Sequence, residues 1–583
     1  MSKKPISNTL ARWRFYLPAA LLCLLVAVLL WHLAMLQVVP GEKRGFEFLQ
    51  DQGEARTLRS EKINAYRGVI TDRNGEPLAV SSPVITLWAN PQELAAEKKS
   101  WAKLARALGI KPADLAAKIK RYRKKEFMYL KRQMSPQGAQ PVMDLNVAGV
   151  YAEEEYQRFY PAGEVTAHIL GFTDIDGEGQ EGLELAYNDW LSGSPGSKKV
   201  LKDLRGRVIK DYGLVKAAES GKDLRLSVDL RLQYLAYREL KAAMKGFQAK
   251  SGSIVLLDVE SGEVLAMVNQ PSYNPNDRRS ISNTNQLRNR AMTDQYEPGS
   301  TMKPLTILAA LETGRFNPSS KVNTHPGYMM VKGKEFKDPV NYGEINLAKI
   351  ITKSSQVGLV KVALQMEPDD VRDMFFRFGL GQVTGSGFPG ERSGSLPNRP
   401  RWHDIERANF GFGYGLSVTA VQLAQAYNVF ANDGVFKPVS LLYQQQTEPS
   451  KRVAAESISR EVRAMLATVP QAGGTATRAQ ITDYPVAGKT GTVHKFIRGG
   501  KGYDDNRYMS VFSGFAPAEK PRVVAAIMIN EPGTEAYSGG KVAASVFSRV
   551  VEGSLRLLRE PPVVASALKA VGQPLRLVGV SNE

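Results

Sequence analysis

Ser300 and Lys303, in the segment Glu297-Pro298-Gly299-Ser300-Thr301-Met302-Lys303-Pro304, have the types and spacing that covalent chemistry needs. Pro298-Gly299 breaks the preceding chain, and the apolar run Leu305–Leu311 demands a helix after it, so Ser300 falls at a helix N-terminus. A spacing of three places Ser300 and Lys303 on one face of that helix. There a neutral lysine can take the proton of a hydroxyl and turn it into a nucleophile. The helix dipole adds favourable potential for a developing oxyanion. Pro304 is tolerated because the first turn has no intrahelical N–H partners to lose. Alone, the pair proves little, since Ser300 reads equally well as an N-cap.

Two later segments add to it. Lys353-Ser354-Ser355-Gln356-Val357-Gly358 brings hydroxyls and an amide. Ala487-Gly488-Lys489-Thr490-Gly491-Thr492 reads as a strand beginning after Pro485. Alternation puts Thr490 and Thr492 on one face, fit to hold a carboxylate, and Lys489 on the other. Gly491 allows another chain or a substrate to approach the backbone closely. Gly-Lys-Thr also imitates a phosphate-binding loop, but that motif needs a glycine where Asp483 stands, so a nucleotide site is rejected.

The elements that must position these groups begin near Gly221. Leu224–Val228 reads as a strand and Arg231–Gly246 as an amphipathic helix. Ser253–Val259 and Val264–Val268 flank Glu260-Ser261-Gly262-Glu263, a β-hairpin built for the middle of a sheet. Helical patterns occupy most of 300–380 and 418–432, strands return at Tyr508–Phe515 and Arg522–Ile529, and Ala543–Leu558 reads as a closing helix. Strands at both ends with helices between predict an α+β domain whose chain returns to complete one sheet.

Residues from about 40 to 220 read as mixed α/β elements without a catalytic cluster. Arg67 to Leu78 carries a strand and an Asn-Gly turn, and helical patterns follow near Pro91–Leu108 and Pro112–Arg123. At the N-terminus, Phe15 to Leu36 is apolar apart from His32 and would span roughly 33 Å as a helix, against about 30 Å of bilayer hydrocarbon. Lys3, Lys4, Arg12 and Arg14 precede it without an acidic residue, which predicts a cytoplasmic N-terminus. Trp31, His32, Met35, Leu36 and Gln37 stand where a cleaved signal peptide would need small residues, so an uncleaved anchor is expected.

Composition is that of a globular chain, 43% hydrophobic and 23% charged. The net charge of +19 invites a nucleic-acid reading, but the basic residues are spread along the whole chain. The densest run, Lys118 to Arg132, has an apolar rhythm and reads as a solvated helix face. Cys23 is the one cysteine and lies in the apolar stretch, and the five histidines are far apart, so no zinc site is expected.

Ser-x-x-Lys, then Ser-x-Asn, then Lys-Thr-Gly is the serial signature of penicillin-binding proteins and serine β-lactamases. Here it stands as Ser300/Lys303, Ser354-Ser355-Gln356 and Lys489-Thr490-Gly491. Arg67-Gly68 to Asn74-Gly75, Arg158 to Gly163, Glu181-Gly182-Leu183-Glu184 and Tyr414-Gly415 extend the likeness through the exported chain. The chain thus resembles class B penicillin-binding proteins of the penicillin-binding protein 3 (FtsI) type. The resemblance implies a transmembrane helix, a mixed α/β pedestal and an α+β penicillin-binding transpeptidase domain. The implied boundaries are 1–14 for a cytoplasmic tail, 15–37 for the anchor, 45–220 for a pedestal or dimerisation-type module, 221–562 for the transpeptidase and 563–583 for a tail.

It also implies an acyl transfer. Ser300 would attack the D-Ala-D-Ala carbonyl of a peptidoglycan stem peptide with Lys303 as base, and a neighbouring stem's amine would take the acyl group. The N–H groups of Ser300 and Thr492 would form the oxyanion hole, and Ser354 and Lys489 would relay protons. Thr490 and Thr492 would hold the terminal carboxylate, with Gln356, Gly491, Tyr414 and Tyr537 lining the substrate site. β-Lactams would acylate the same serine. The likeness implies no metal and no cofactor. The implied setting is the bacterial inner membrane with the catalytic domain in the periplasm, and the implied partners are a division glycosyltransferase and other divisome proteins, not nucleic acid.

Two departures stand out. The second motif ends in Gln356 where the family has Asn, which moves the amide by one methylene. Ser538, in Tyr537-Ser538-Gly539-Gly540, stands where relatives tend to carry an aromatic. A class A β-lactamase needs its glutamate after the serine, and the tempting Glu184-x-x-x-Asn188 precedes Ser300, so chain order disfavours that rival. A non-catalytic division scaffold finds support only in Gln356. The choice between the division enzyme and a paralogue stays open.

Overall fold

The structure, a computed structural model, describes residues 13–37, 58–202, 208–444, 450–496, 502–533 and 536–563. The expected tails, with Lys3, Lys4 and Arg12 in the first, lie almost wholly outside these residues. Helix α1 (Trp13–Gln37) contains Phe15–Met35, which has a mean hydropathy of 2.4 and no buried residue in its most apolar window. It is long and apolar enough to cross a membrane, and Cys23 is exposed on it.

The chain divides into two compact units. The first takes residues up to Tyr66, Pro83–Tyr156 and Gly193–Ser220. Its elements include β1 (Leu58–Ile63), most of β2 (Pro77–Ala89), α2 (Trp101–Leu108), α3 (Pro112–Tyr122), β3 (Met128–Met134), β4 (Gly196–Lys202) and β5 (Val208–Lys216). Strands β1, β4 and β5 form an antiparallel sheet in the order β1-β4-β5. Strand β3 pairs with the later half of β2, Trp88 opposite Tyr129. Leu87, Leu104, Leu108, Leu115, Ile119 and Met128 close a core between that pair and the two helices.

Two sequence expectations change here. The single helical pattern Pro91–Leu108 is broken: a helix ends at Ala96, Glu97 leaves helical geometry, and α2 starts afresh at Trp101. The basic run Lys118–Arg132 is not one helix face, because α3 ends at Tyr122 and β3 begins at Met128.

The second unit takes Arg67–Ser82, Gln157–Ser192 and everything from Gly221. Helix α4 (Leu230–Gly246) starts at Asp229, whose carboxylate caps the N–H of Arg231. Strands β6 (Ser251–Asp258) and β7 (Val264–Gln270) form the hairpin read from the sequence, and every residue of both is buried. After α5 (Lys303–Glu312) the chain makes short strands that include β8 (Tyr328–Val331) and β9 (Lys334–Lys337), then α6 (Leu347–Lys353) and α7 (Gln356–Leu364). Helices α8 (Asp404–Gly411) and α9 (Ala420–Ala431) follow, α9 with all of its residues buried. Strands β10 (Ala487–Phe496), β11 (Tyr503–Ala516) and β12 (Val523–Asn530) and helix α10 (Ala543–Leu557) complete the unit.

These strands make one antiparallel sheet in the order β7-β6-β12-β11-β10. The late strand β12 pairs with the early β6, Ala526 opposite Val255, so the chain returns to its own hairpin as expected. β10 with its Lys489 lies at the sheet edge. Leu224–Val228 shrinks to a two-residue strand, and strands interrupt the helical reading of 300–380 between Lys321 and Asn346. Within this unit Arg67, Arg158 and Glu184 converge: Arg67 Nε donates to one Glu184 oxygen at 2.8 Å and Arg158 Nε to the other at 2.6 Å, all three buried.

Candidate active site

Ser300 sits on a 3₁₀ turn, Gly299–Met302, which leads directly into α5 at Lys303. Gly299 has φ 56°, and a Cβ there would stand 2.6 Å from Val493 Cγ2, so only glycine lets β10 close on this turn. Gly299 N–H donates to Gly413 O at 3.1 Å, and Tyr427 of α9 donates to Thr301 O at 2.8 Å. The turn is thus held from three sides. Ser300 itself is half-buried, and its hydroxyl makes no hydrogen bond among the described residues.

Lys303 is fully buried. Its Nζ donates to Ser354 O at 2.5 Å, Ser354 Oγ at 3.2 Å and Ser355 O at 3.2 Å. Desolvation pushes its ammonium down to about 7, against the opposing charge of Asp338. Ser354 ends α6 in the left-handed region, φ 57° and ψ 36°. Ser355 then caps α7, its Oγ accepting from Gly358 N–H at 2.9 Å.

Lys489 is also fully buried and donates to the same Ser354 Oγ at 3.0 Å, as well as to Thr490 O at 3.2 Å and Thr490 Oγ1 at 3.4 Å. Desolvation, then the neighbouring Lys303 charge, holds its pKa well below that of a free lysine. Two amines sharing one hydroxyl in a dry site are unlike the solvated ammoniums of a surface, and such shifted groups mark functional sites.

Gly491 lies against the nucleophile turn: a Cβ there would meet Pro298 O and Thr301 Cγ2, each at 3.1 Å. Thr490 and Thr492 both face the segment at Gly539-Gly540. Thr492 Oγ1 accepts from Gly539 N–H at 2.9 Å, and Thr490 Oγ1 pairs with Thr475 Oγ1 at 3.1 Å. Tyr537 is exposed and stacks on Tyr508 at 4.2 Å. Tyr414 packs edge-on against Tyr503 at 5.6 Å, and burial raises its hydroxyl to about 12.

Gln356 is the first residue of α7. Its side-chain amide makes no hydrogen bond among the described residues, so it does not reach Lys303. Its backbone N–H is held at 2.5 Å by Asp338 Oδ1, while Asp338 Oδ2 accepts from Ser355 Oγ at 2.5 Å. Asp338 is buried and was not singled out in the sequence. Glu297 opens the Ser300 segment, and the sequence alone gives it no partner. Its Oε1 accepts from Gly415 N–H at 2.8 Å and from the Tyr503 hydroxyl at 3.1 Å.

Among the described residues no cluster of His, Cys, Asp and Glu could hold a metal ion. Glu184, between two arginines, is likewise engaged rather than poised to activate water.

Comparison with known proteins gives concordant matches. Residues 252–552 match the family described as the penicillin binding protein transpeptidase domain, and residues 62–226 the penicillin-binding protein dimerisation domain. The chain is 43% identical over 557 residues to the probable peptidoglycan D,D-transpeptidase PbpC of Pseudomonas aeruginosa, covering 96% of this chain and 97% of that one. It is also 43% identical over 557 residues to the peptidoglycan D,D-transpeptidase FtsI of Escherichia coli K12, covering 94% and 92%. Among solved structures, penicillin binding protein 3 of Mycobacterium tuberculosis in complex with aztreonam superposes with a TM-score of 0.67 at 26% identity, covering 86% of this chain and 98% of that one.

Proposed function

The chain belongs to the class B penicillin-binding proteins, membrane-anchored peptidoglycan D,D-transpeptidases that β-lactams target, and on that premise we propose that Ser300 is its acylated nucleophile. The observation that carries the proposal is the Ser354 hydroxyl shared by Lys489 and by Lys303, which begins the helix that the Ser300 turn leads into.

In the first step Ser300 Oγ attacks the carbonyl carbon of the D-Ala-D-Ala bond. Lys303, neutral because its site is dry, accepts the hydroxyl proton. The N–H groups of Ser300 and Thr492 donate to the oxyanion. Collapse breaks the C–N bond, and the leaving amine takes a proton passed through Ser354 from the lysine pair. In the second step an acceptor amine attacks the ester carbon, the C–Oγ bond breaks, and Ser300 regains its proton. Thr490 and Thr492 hold the carboxylate that ends the donor peptide. Gly491, Gln356, Tyr414 and Tyr537 border the space the donor occupies.

The proposed organisation keeps the sequence-based boundaries, a pedestal at 45–220 and a transpeptidase at 221–562. A single pass through the inner membrane places the exported units in the periplasm, supported by the basic residues before α1 and the apolar length of that helix. The proposed setting is septal wall synthesis beside a polytopic division glycosyltransferase. Affinity capture from detergent-solubilised membranes should recover that enzyme, and its consistent absence would count against the partnership.

Catalysis itself is tested with full-length protein in detergent, a stem pentapeptide donor and a labelled amine acceptor. Release of D-Ala together with labelled product by the wild type, and neither by Ser300→Ala, is the expected result. Product formation by Ser300→Ala would contradict the proposal. The scaffold reading predicts no release by either protein.

A further inference from the structure

Two carboxylates border the site, and they differ in what they have left to offer. Asp338 is buried and both of its oxygens are taken, by Ser355 Oγ and by the backbone of Gln356. Glu297 is half-buried, three residues before Ser300. Its Oε1 accepts from Gly415 N–H and Tyr503 OH, whereas its Oε2 accepts no hydrogen bond among the described residues. Burial raises its carboxyl, with those two donors and then Lys334 opposing.

Lys334, at the start of β9, is near enough for its charge to act on this carboxyl. The two side chains influence each other's charge, yet they form no salt bridge among the described residues. Lys334 Nζ is instead held by Asn409 Oδ1 at 2.9 Å and lies 5.3 Å from the centre of the Phe336 ring. Asn409 lies in the last turn of α8 and Gly415 just beyond that helix, where Tyr414 N–H donates back to Asn409 O at 3.1 Å. One short stretch of backbone therefore anchors a carboxylate and an ammonium side by side and apart. The same stretch supplies Gly413, which holds the nucleophile turn at Gly299.

A carboxylate and an ammonium kept from pairing with each other suit a ligand that carries both opposite charges on one carbon. We infer that Glu297 and Lys334 form the acceptor subsite, where Glu297 receives the ammonium, and Lys334 the carboxylate, of an amino-acid head group on the incoming chain. The inference rests on the reading of Ser300 as the acylated residue, because without the ester there is nothing for the amine to attack. The ammonium gives one proton to Glu297, and the resulting amine attacks the ester carbon. The C–N bond forms, the C–Oγ bond breaks, and the amine's second proton passes through the neutral lysine pair to Ser300 Oγ. Bound at Glu297, the amine is delivered beside the nucleophile turn; water, with no charge to be held, is not.

The test follows the fate of each acyl-enzyme formed. Full-length protein in detergent is given an N-acyl-D-alanyl thioester donor with D-alanine or D-alaninamide as acceptor, and aminolysis product is divided by hydrolysis product. The wild type is expected to favour D-alanine by about tenfold, the size of one charge-assisted hydrogen bond. Glu297→Gln keeps an oxygen for Gly415 and Tyr503, so the turn survives, but aminolysis relative to hydrolysis should fall about tenfold with both acceptors. Lys334→Gln should bring D-alanine down to the level of D-alaninamide and leave D-alaninamide unchanged. An unchanged ratio in Glu297→Gln, or no preference for D-alanine in the wild type, overturns the subsite. A protein that forms no acyl-enzyme at all overturns the Ser300 reading and the subsite with it, and the two failures are thereby told apart.

Discussion

Lys303 and Lys489 donate to a single oxygen: the Ser354 hydroxyl lies 3.2 Å from one Nζ and 3.0 Å from the other. Both amines are fully buried, so two full positive charges there would repel each other in a medium that screens little. The site therefore favours loss of a proton from the pair, and a neutral amine beside a hydroxyl is what a nucleophilic serine requires.

The pH dependence follows from that burial. Lys303 is lowered to about 7, so below that pH it is protonated and cannot accept the Ser300 proton. The acylation rate should rise with pH through an apparent pKa near 7 and level off above it, measured by stopped-flow with a chromogenic β-lactam. The same shift acts on stability. Between pH 7 and the unfolded lysine value near 10.5 the unfolded chain binds more protons, so this group makes the fold more stable as pH rises across that window.

Ser354→Ala removes the oxygen the two lysines share. Among the described residues Lys489 then keeps only Thr490 as a partner, and the proton path between the amines is cut. Acylation is expected to slow by on the order of 10²-fold or more, the usual contribution of a positioned proton-transfer group, with the fold retained. An unchanged acylation rate would show that the hydroxyl is a bystander.

Asp338→Ala removes the carboxylate that holds Ser355 Oγ and the Gln356 N–H at the start of α7. Loss of buried, charge-assisted hydrogen bonds should cost about 2 kcal/mol, read from chemical denaturation. Acylation should slow as well, because Ser354 loses its support from the next residue. Asp338→Asn, which keeps one carbonyl oxygen, should recover part of both.

Glu184→Ala leaves Arg67 and Arg158 buried without their shared carboxylate. The expected loss is about 3 kcal/mol or more, since an uncompensated buried charge is costlier than a lost contact. Protein that does fold should still be acylated at the wild-type rate, which separates this stability role from the chemistry.

Much of this site could be read from the sequence because its signals are local. Ser300 and Lys303 sit one turn apart, and Lys489 to Thr492 alternate along one strand, so each motif carries its own geometry. The returning strands near 508–529 were visible for the same reason: they are long and apolar. Asp338 was not visible, because its partners Ser355 and Gln356 come from a later helix and only the fold joins them. The strands between Lys321 and Asn346 fall where the sequence pattern reads as helix, because elements of three or four residues are too short to show a period. Glu297 gained meaning only from Gly415, Tyr503 and Lys334, which the sheet and its loops bring to it. Arg67, Arg158 and Glu184 lie in separate segments of the sequence, and only the three-dimensional arrangement makes Glu184 the shared partner of the two arginines.

The central claim is that Ser300 is the residue that carries the acyl group, and intact mass tests it most directly. Full-length protein is incubated with benzylpenicillin, its mass is measured, and the adduct is mapped by peptide digestion, with Ser300→Ala treated in parallel. The account predicts one stable adduct in the wild type, on the peptide containing Ser300, and none in the variant. An adduct that persists in Ser300→Ala, or one mapped to another residue, would contradict it.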